Sequence, residues 1–145
     1  MGRIRVNTRE LVQLQQNIDR LDRRGLEDMN VRIIKELAKR FLREVILRTP
    51  VGQYDDGRVG GTLRRNWTAQ NNNINVRRNS ANYEVEIVNA TEYAAYVEFG
   101  HRTVNGGWVN GQFFMTIAAD KIEGLAPRLV EREVNKVLRR AFDGN

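Results

Sequence analysis

The sequence predicts an α+β domain in which a small antiparallel sheet packs against a long amphipathic helix, with additional helices toward the N and C termini. Three observations carry this. Ile33, Ile34, Leu37, Ala38, Phe41, Leu42, Val45 and Ile46 recur at helical spacing and form one apolar stripe. Tyr83, Val85 and Ile87 alternate with Glu84 and Glu86, the pattern of a strand with one buried and one wet face. No strand-helix-strand repeat is present, which argues against the doubly wound nucleotide folds. A striped helix needs a surface and a one-faced sheet needs a cover, so the two are natural partners.

Taken in order, Asn7 or Thr8 is placed to cap a first helix carrying Leu11, Leu14, Ile18 and Leu21, with Gly25 as its end. Residues 1–25 are thus expected as a helical arm of a single domain spanning 1–145. Pro50 stops the second helix, because proline disfavours the helical conformation of its predecessor and donates no amide. Val51 to Gly61, VGQYDDGRVGG, is a loop by composition. Trp67 and Ala69 open a strand pattern that resumes in the other phase at Ile74 and Val76 after Asn71-Asn72-Asn73, and Arg77 to Asn82 reads as a hairpin loop. Thr91 is the expected cap of a short helix, with Gly100 suited to a left-handed residue at its end. His101 to Gly111 is a long loop or a two-stranded excursion bearing Trp108 and Val109. Phe113, Phe114, Ile117, Ala118 and Ile122 describe a helix interrupted at Gly124. Pro127 then fits the first turn of a final helix striped by Val130, Val134, Val137, Leu138 and Ala141.

Composition narrows the function classes. The chain of 145 residues has no cysteine and one histidine, which removes disulfides, thiolate metal sites and cysteine nucleophiles and disfavours zinc. No apolar run is long enough for a membrane span, and no signal-peptide pattern opens the chain, so a soluble protein is expected. The net charge of +6 lies mainly in residues 1–50, which carry twelve Lys/Arg against seven Asp/Glu. Acids and bases alternate there at helical spacing, the pattern of a solvated helix face; an acidic partner or DNA is the competing reading.

The busiest stretch is EYAAYVEFGH, Glu92 to His101. Glu98 and His101 stand three apart, close enough for an acid-histidine pair, yet no nucleophile motif, metal-binding helix or paired-carboxylate motif accompanies them. The expectation is therefore packing, with Tyr93, Val97 and Phe99 on the sheet and Glu98 and His101 near solvent. The glycine-rich loop lacks the Gly-Lys-Ser/Thr of a phosphate cradle, and Asp55-Asp56 reads as a solvated turn. Arg64, Arg65, Arg77 and Arg78 beside Trp67 suggest a nucleic-acid surface, although Trp67 reads more naturally as core.

Four blocks taken together, Thr49-Pro50-Val51, Thr62-Leu63-Arg64-Arg65-Asn66-Trp67, Tyr93-Ala94-Ala95-Tyr96-Val97-Glu98-Phe99-Gly100 and Gly111-Gln112-Phe113-Phe114, resemble in order and spacing the tail-component family of tailed bacteriophages. Its members are also described as neck or tail-completion proteins, and the match runs from about Ile33 onward. Two departures stand out: Gly52 to Gly61 lengthens a turn that is short in the family, and Ala95 occupies a position where proline is common. The resemblance implies an α+β fold without catalysis or cofactor, placed in the virion neck or tail and assembled in the host bacterial cytoplasm. It further implies self-association into a ring of roughly six or twelve copies. Its implied partners are head-connector or adaptor proteins, tail terminator or tail tube proteins, and DNA passing through the lumen, with no membrane. Tyr54, Arg64, Arg65, His101, Arg102 and Trp108 are the expected interface residues. Trp67, Tyr93, Tyr96, Val97, Phe99, Gly100, Phe113 and Phe114 are the expected packing motif. A tail terminator or other connector-ring subunit is the nearest alternative, and a basic nucleic-acid-binding module the alternative of another class.

Overall fold

In the computed structural model of the chain, residues 9–20, 23–70, 74–80 and 82–143 are described. The element order is α1 (Arg9–Arg20), α2 (Arg23–Arg48), α3 (Thr62–Gln70), β1 (Val76–Asn79), β2 (Asn82–Val85), α4 (Ala94–Phe99), β3 (Gly100–Arg102), β4 (Trp108–Asn110) and α5 (Phe114–Asp143). The fold is α+β. Strands β1 and β2 pair antiparallel, with Val76 opposite Val85 and Arg78 opposite Tyr83; β3 and β4 form a second antiparallel pair, with His101 opposite Val109 and Arg102 opposite Trp108.

The chain groups into two compact units, residues 34–127 and residues 1–33 with 128–145. In the first, the core is Leu42 and Val45 of α2, Leu63 and Trp67 of α3, and Phe114 and Ala118 of α5, with Ile74, Ile87 and Val97 packed against it. Trp67 and Phe114 meet edge to face, ring centroids 6.4 Å apart. Mainly helices thus fill this core, and residues flanking the first hairpin close its side. In the other unit, α2 buries Met29 and Ile33 and α5 buries Leu129.

Several expected elements differ. Trp67 belongs to helix α3 rather than to a strand, because Leu63 and Trp67, four apart, are both buried on one helical face. Gly25 lies inside α2, while the proposed cap at Asn7 or Thr8, the Leu21 position and the Asn71-Asn72-Asn73 interruption fall outside the described residues. Arg77 to Asn79 are paired strand residues, so the turn is tighter than the Arg77 to Asn82 loop expected. Thr91 is not the cap of α4; that position is Tyr93, with no side-chain cap. Helix α5 runs unbroken through Gly124 and Pro127. Proline removes one backbone donor and crowds the carbonyl four residues back, but Glu123, Gly124 and Pro127 are all exposed, so water can satisfy the freed group. The buried line of its second half passes through Leu129, whereas Val130 and Leu138 are 39% and 38% exposed.

Candidate functional site

The four sequence blocks converge on two helix ends. At the C terminus of α2, whose last carbonyls have no intrahelical partner, Thr49 is fully buried and its hydroxyl donates back to the Val45 carbonyl. Arg64 of α3 donates Nε and Nη2 to the Thr49 carbonyl at 3.2 and 2.8 Å, setting a fixed positive fork at the negative end of the helix. At the N terminus of α5, the Glu98 carboxylate accepts the amides of Met115 and Thr116, both at 2.9 Å, and the Thr116 hydroxyl at 2.6 Å. Two of the orphan donors of that helix are satisfied by an anion placed where the helix dipole favours one.

Glu98 is 2% exposed, which overturns its expected place near solvent. A buried carboxylate persists only if paired or hydrogen-bonded, and here the start of α5 supplies the bonds. Glu98 does not pair with His101. The His101 ring lies edge-on to Tyr96, centroids 5.7 Å apart, and its Nδ1 is buried with no hydrogen-bond partner among the described residues. Among those residues, too, no group of three or more His, Asp and Glu is placed to hold a metal ion, and no helix is long and apolar enough to cross a membrane.

The same clasp fixes the chain on either side. Gln112 and Phe113 donate amides to the carbonyls of Val97 and Glu98, 2.9 and 3.1 Å, so the path into α5 is bonded back to the end of α4. Between them projects the β3–β4 hairpin. Its tip is closed by Thr103 N to Gly107 O, Gly106 N to Thr103 O and Gly107 N to Thr103 Oγ1. Gly100 has φ +85°, and a Cβ there would stand 2.4 Å from the Val109 carbonyl and 3.0 Å from the Trp108 ring. Glycine therefore lets the indole lie over the β3 backbone.

What this scaffold displays is apolar. Trp108 is 60% exposed, Phe99 62% and Tyr96 59%; Tyr93, Val109 and Phe113 are also exposed, and Val104 at the tip is fully so. Tyr93 and Phe99 were expected to pack on the sheet. They face outward because Val97 and Ala94 take the inward side of the short helix α4. Phe113 is held at φ +50°, a left-handed conformation rare for a bulky residue. Phe114 and Trp67 are core residues, 1% and 0% exposed, so Trp67 offers no stacking face to a nucleic acid.

The Val51–Gly61 loop folds on itself. A Cβ on Gly60 would lie only 1.8 Å from the Gly52 carbonyl, Arg65 holds the Gly60 carbonyl at 3.0 Å, and Arg58 lies over the Tyr54 ring while pairing with Asp56. Tyr54, Tyr93 and Gln112 line one cleft of about 350 Å³. Of the expected interface residues, Tyr54, Arg102 and Trp108 are exposed and His101 is half-buried, while Arg64 and Arg65 are engaged in holding the loop and the helix end. Sequence reasoning missed Glu98 and Arg64 as clasps. The Asn89 to Thr91 segment was missed as well: Asn89 donates to the Leu63 carbonyl at 2.8 Å and Thr91 accepts from Asn66, which ties it to α3.

The family described as "Bacteriophage HK97-gp10, putative tail-component" matches residues 13–100, more than half of the chain. That match begins earlier than Ile33 and includes the Arg64 and Glu98 segments, while the Gly111-Gln112-Phe113-Phe114 block lies beyond it. No curated protein and no solved structure matches. Membership accords with a site that displays an exposed apolar hairpin on clasped helix ends, and the chain belongs to this family of bacteriophage tail components, as a structural protein of the tail.

Proposed function

We propose that the protein is a non-enzymatic ring subunit at the head–tail junction of a phage, prophage or phage-tail-like particle, in the neck or tail-completion position. The observation that carries this reading is the exposed apolar surface of Trp108 and Val109 on a hairpin whose backbone is bonded in place, with exposed Tyr96 and Phe99 on the preceding helix α4 and exposed Phe113 just before α5. Apolar surface gathered on one rigid projection favours association, and a ring uses head-to-tail contacts that join two different patches of each protomer. Its neighbours in this reading are further copies of itself, a head connector or adaptor on one side, and a tail terminator or tail tube on the other. Negative-stain imaging of particles carrying a labelled copy tests the position. Label at the junction is the expected result; label along the tail or at its far end contradicts it, and label at the tail end of head-free tails supports the tail-terminator alternative.

A second reading, contact with DNA in the lumen, is supported by Arg128, Arg132, Lys136 and Arg139, which line one face of α5. Such contacts release counterions and weaken steeply with salt. Gel-shift titration from low to high salt should show retardation that fades as salt rises; no retardation at low salt removes this reading.

A further inference from the structure

We propose that the β3–β4 hairpin of one copy seats in a groove between α2, α4 and α5 of a second copy, with Trp108 as anchor and Arg102 meeting Glu92 at the groove wall. This rests on the reading that the protein assembles with its own copies, and it names the two patches that meet.

The groove has a volume of about 470 Å³. Its apolar wall is built from Phe41, Ala94, Ala95, Phe99, Met115 and Ala119. The small alanines leave the room, and the larger side chains give an indole dispersion contact. The charges on the wall are of one sign: Glu92 and Glu98 line it and no Lys or Arg does. Glu98 is committed to the start of α5, so exposed Glu92 is the carboxylate that faces an incoming group. In a chain of net charge +6, an apolar groove walled only by acids selects for a basic, apolar ligand.

The hairpin has that chemistry. Residues 100–111 contain Arg102 and His101 and no Asp or Glu. Arg102 sits directly opposite Trp108 in the strand pair, so guanidinium and indole leave the hairpin side by side. The tip is closed by its own hydrogen bonds and Trp108 lies over Gly100, so little freedom is lost when the hairpin docks. No residue of the hairpin lines the groove of its own copy, so the proposed occupant is the hairpin of another molecule.

The chain has no cysteine, which gives a clean background for cross-linking. Asn110→Cys on the hairpin and Ala119→Cys in the groove, combined in one chain, are treated with a short bis-maleimide in purified particles and in concentrated free protein. The expected result is a ladder of cross-linked copies, absent when Asn110→Cys is combined with Asn135→Cys instead. In parallel, Arg102→Glu and Glu92→Arg should each lower incorporation into particles by about tenfold, and the two together in one chain should restore it. Circular dichroism checks that each variant is folded. No ladder in particles that contain the protein, or a charge swap without rescue, overturns the docking. If imaging still places the label at the head–tail junction, only the named patches are wrong. If the ladder forms but the label lies elsewhere, the docking stands and the proposed position fails.

Discussion

Glu98 shows how much one side chain can decide. Truncating it as Glu98→Ala would leave the amides of half-buried Met115 and of Thr116 without their charged acceptor, which should cost about 2 kcal/mol in urea unfolding, with Glu98→Gln intermediate. A wild-type midpoint for Glu98→Ala would remove the clasp from the account. Arg64→Lys keeps the charge but loses the fork on the Thr49 carbonyl, so it should retain only part of the about 1–2 kcal/mol lost in Arg64→Ala. Phe113 runs the other way. Its left-handed backbone suits glycine, so Phe113→Gly should hold or raise the thermal midpoint while lowering incorporation into particles, because the strain is relieved and the displayed ring is lost. None of these roles was legible locally. Glu98 finds its partners seventeen and eighteen residues downstream, and Arg64 finds its own fifteen upstream. Trp67 was legible as core because its size alone favours burial.

At the scale of elements, the long helix α2 was readable because its stripe repeats over many turns, and every residue of that stripe is buried or half-buried. Helix α3 was not, since its nine residues are short enough for Trp67 and Ala69 to mimic strand alternation. Helix α5 was split in two on the strength of Gly124 and Pro127, whose effect depends on solvent exposure that periodicity does not encode. Helices α2 and α5 are also tied by Glu44 of α2, which bonds Lys121 of α5 at 2.7 Å and pairs within its own helix with Arg48 at 3.4 Å. The Lys121 hydrogen bond, with Lys121 and Arg48 as neighbouring charges, holds the Glu44 pKa below its ordinary value against partial desolvation. A carboxylate depressed in the folded state contributes stability above its unfolded pKa and loses it as pH falls through the folded value. The thermal midpoints of wild type and Glu44→Gln should therefore differ at neutral pH and converge below about pH 4. A constant difference down to that pH would contradict the assignment. In the Val51–Gly61 loop, Gly60→Ala forces the Gly52 carbonyl aside and should speed tryptic cleavage at Arg58; unchanged cleavage would mean the loop is not pinched.

For the whole molecule, the order of the four blocks pointed to a phage tail component, and the match over residues 13–100 places the chain in that family. Which residues serve the fold and which serve assembly became visible only in three dimensions, because Tyr93, Glu98 and Phe99 share one short motif yet face opposite environments. The central claim is that the motif holds the fold while the outward apolar hairpin makes the assembly. Incorporation of Trp108→Ser into particles, normalised to folded soluble protein, tests it most directly. The account predicts a wild-type thermal midpoint together with loss of incorporation by about tenfold or more; a folded Trp108→Ser chain that enters particles at the wild-type level would contradict it.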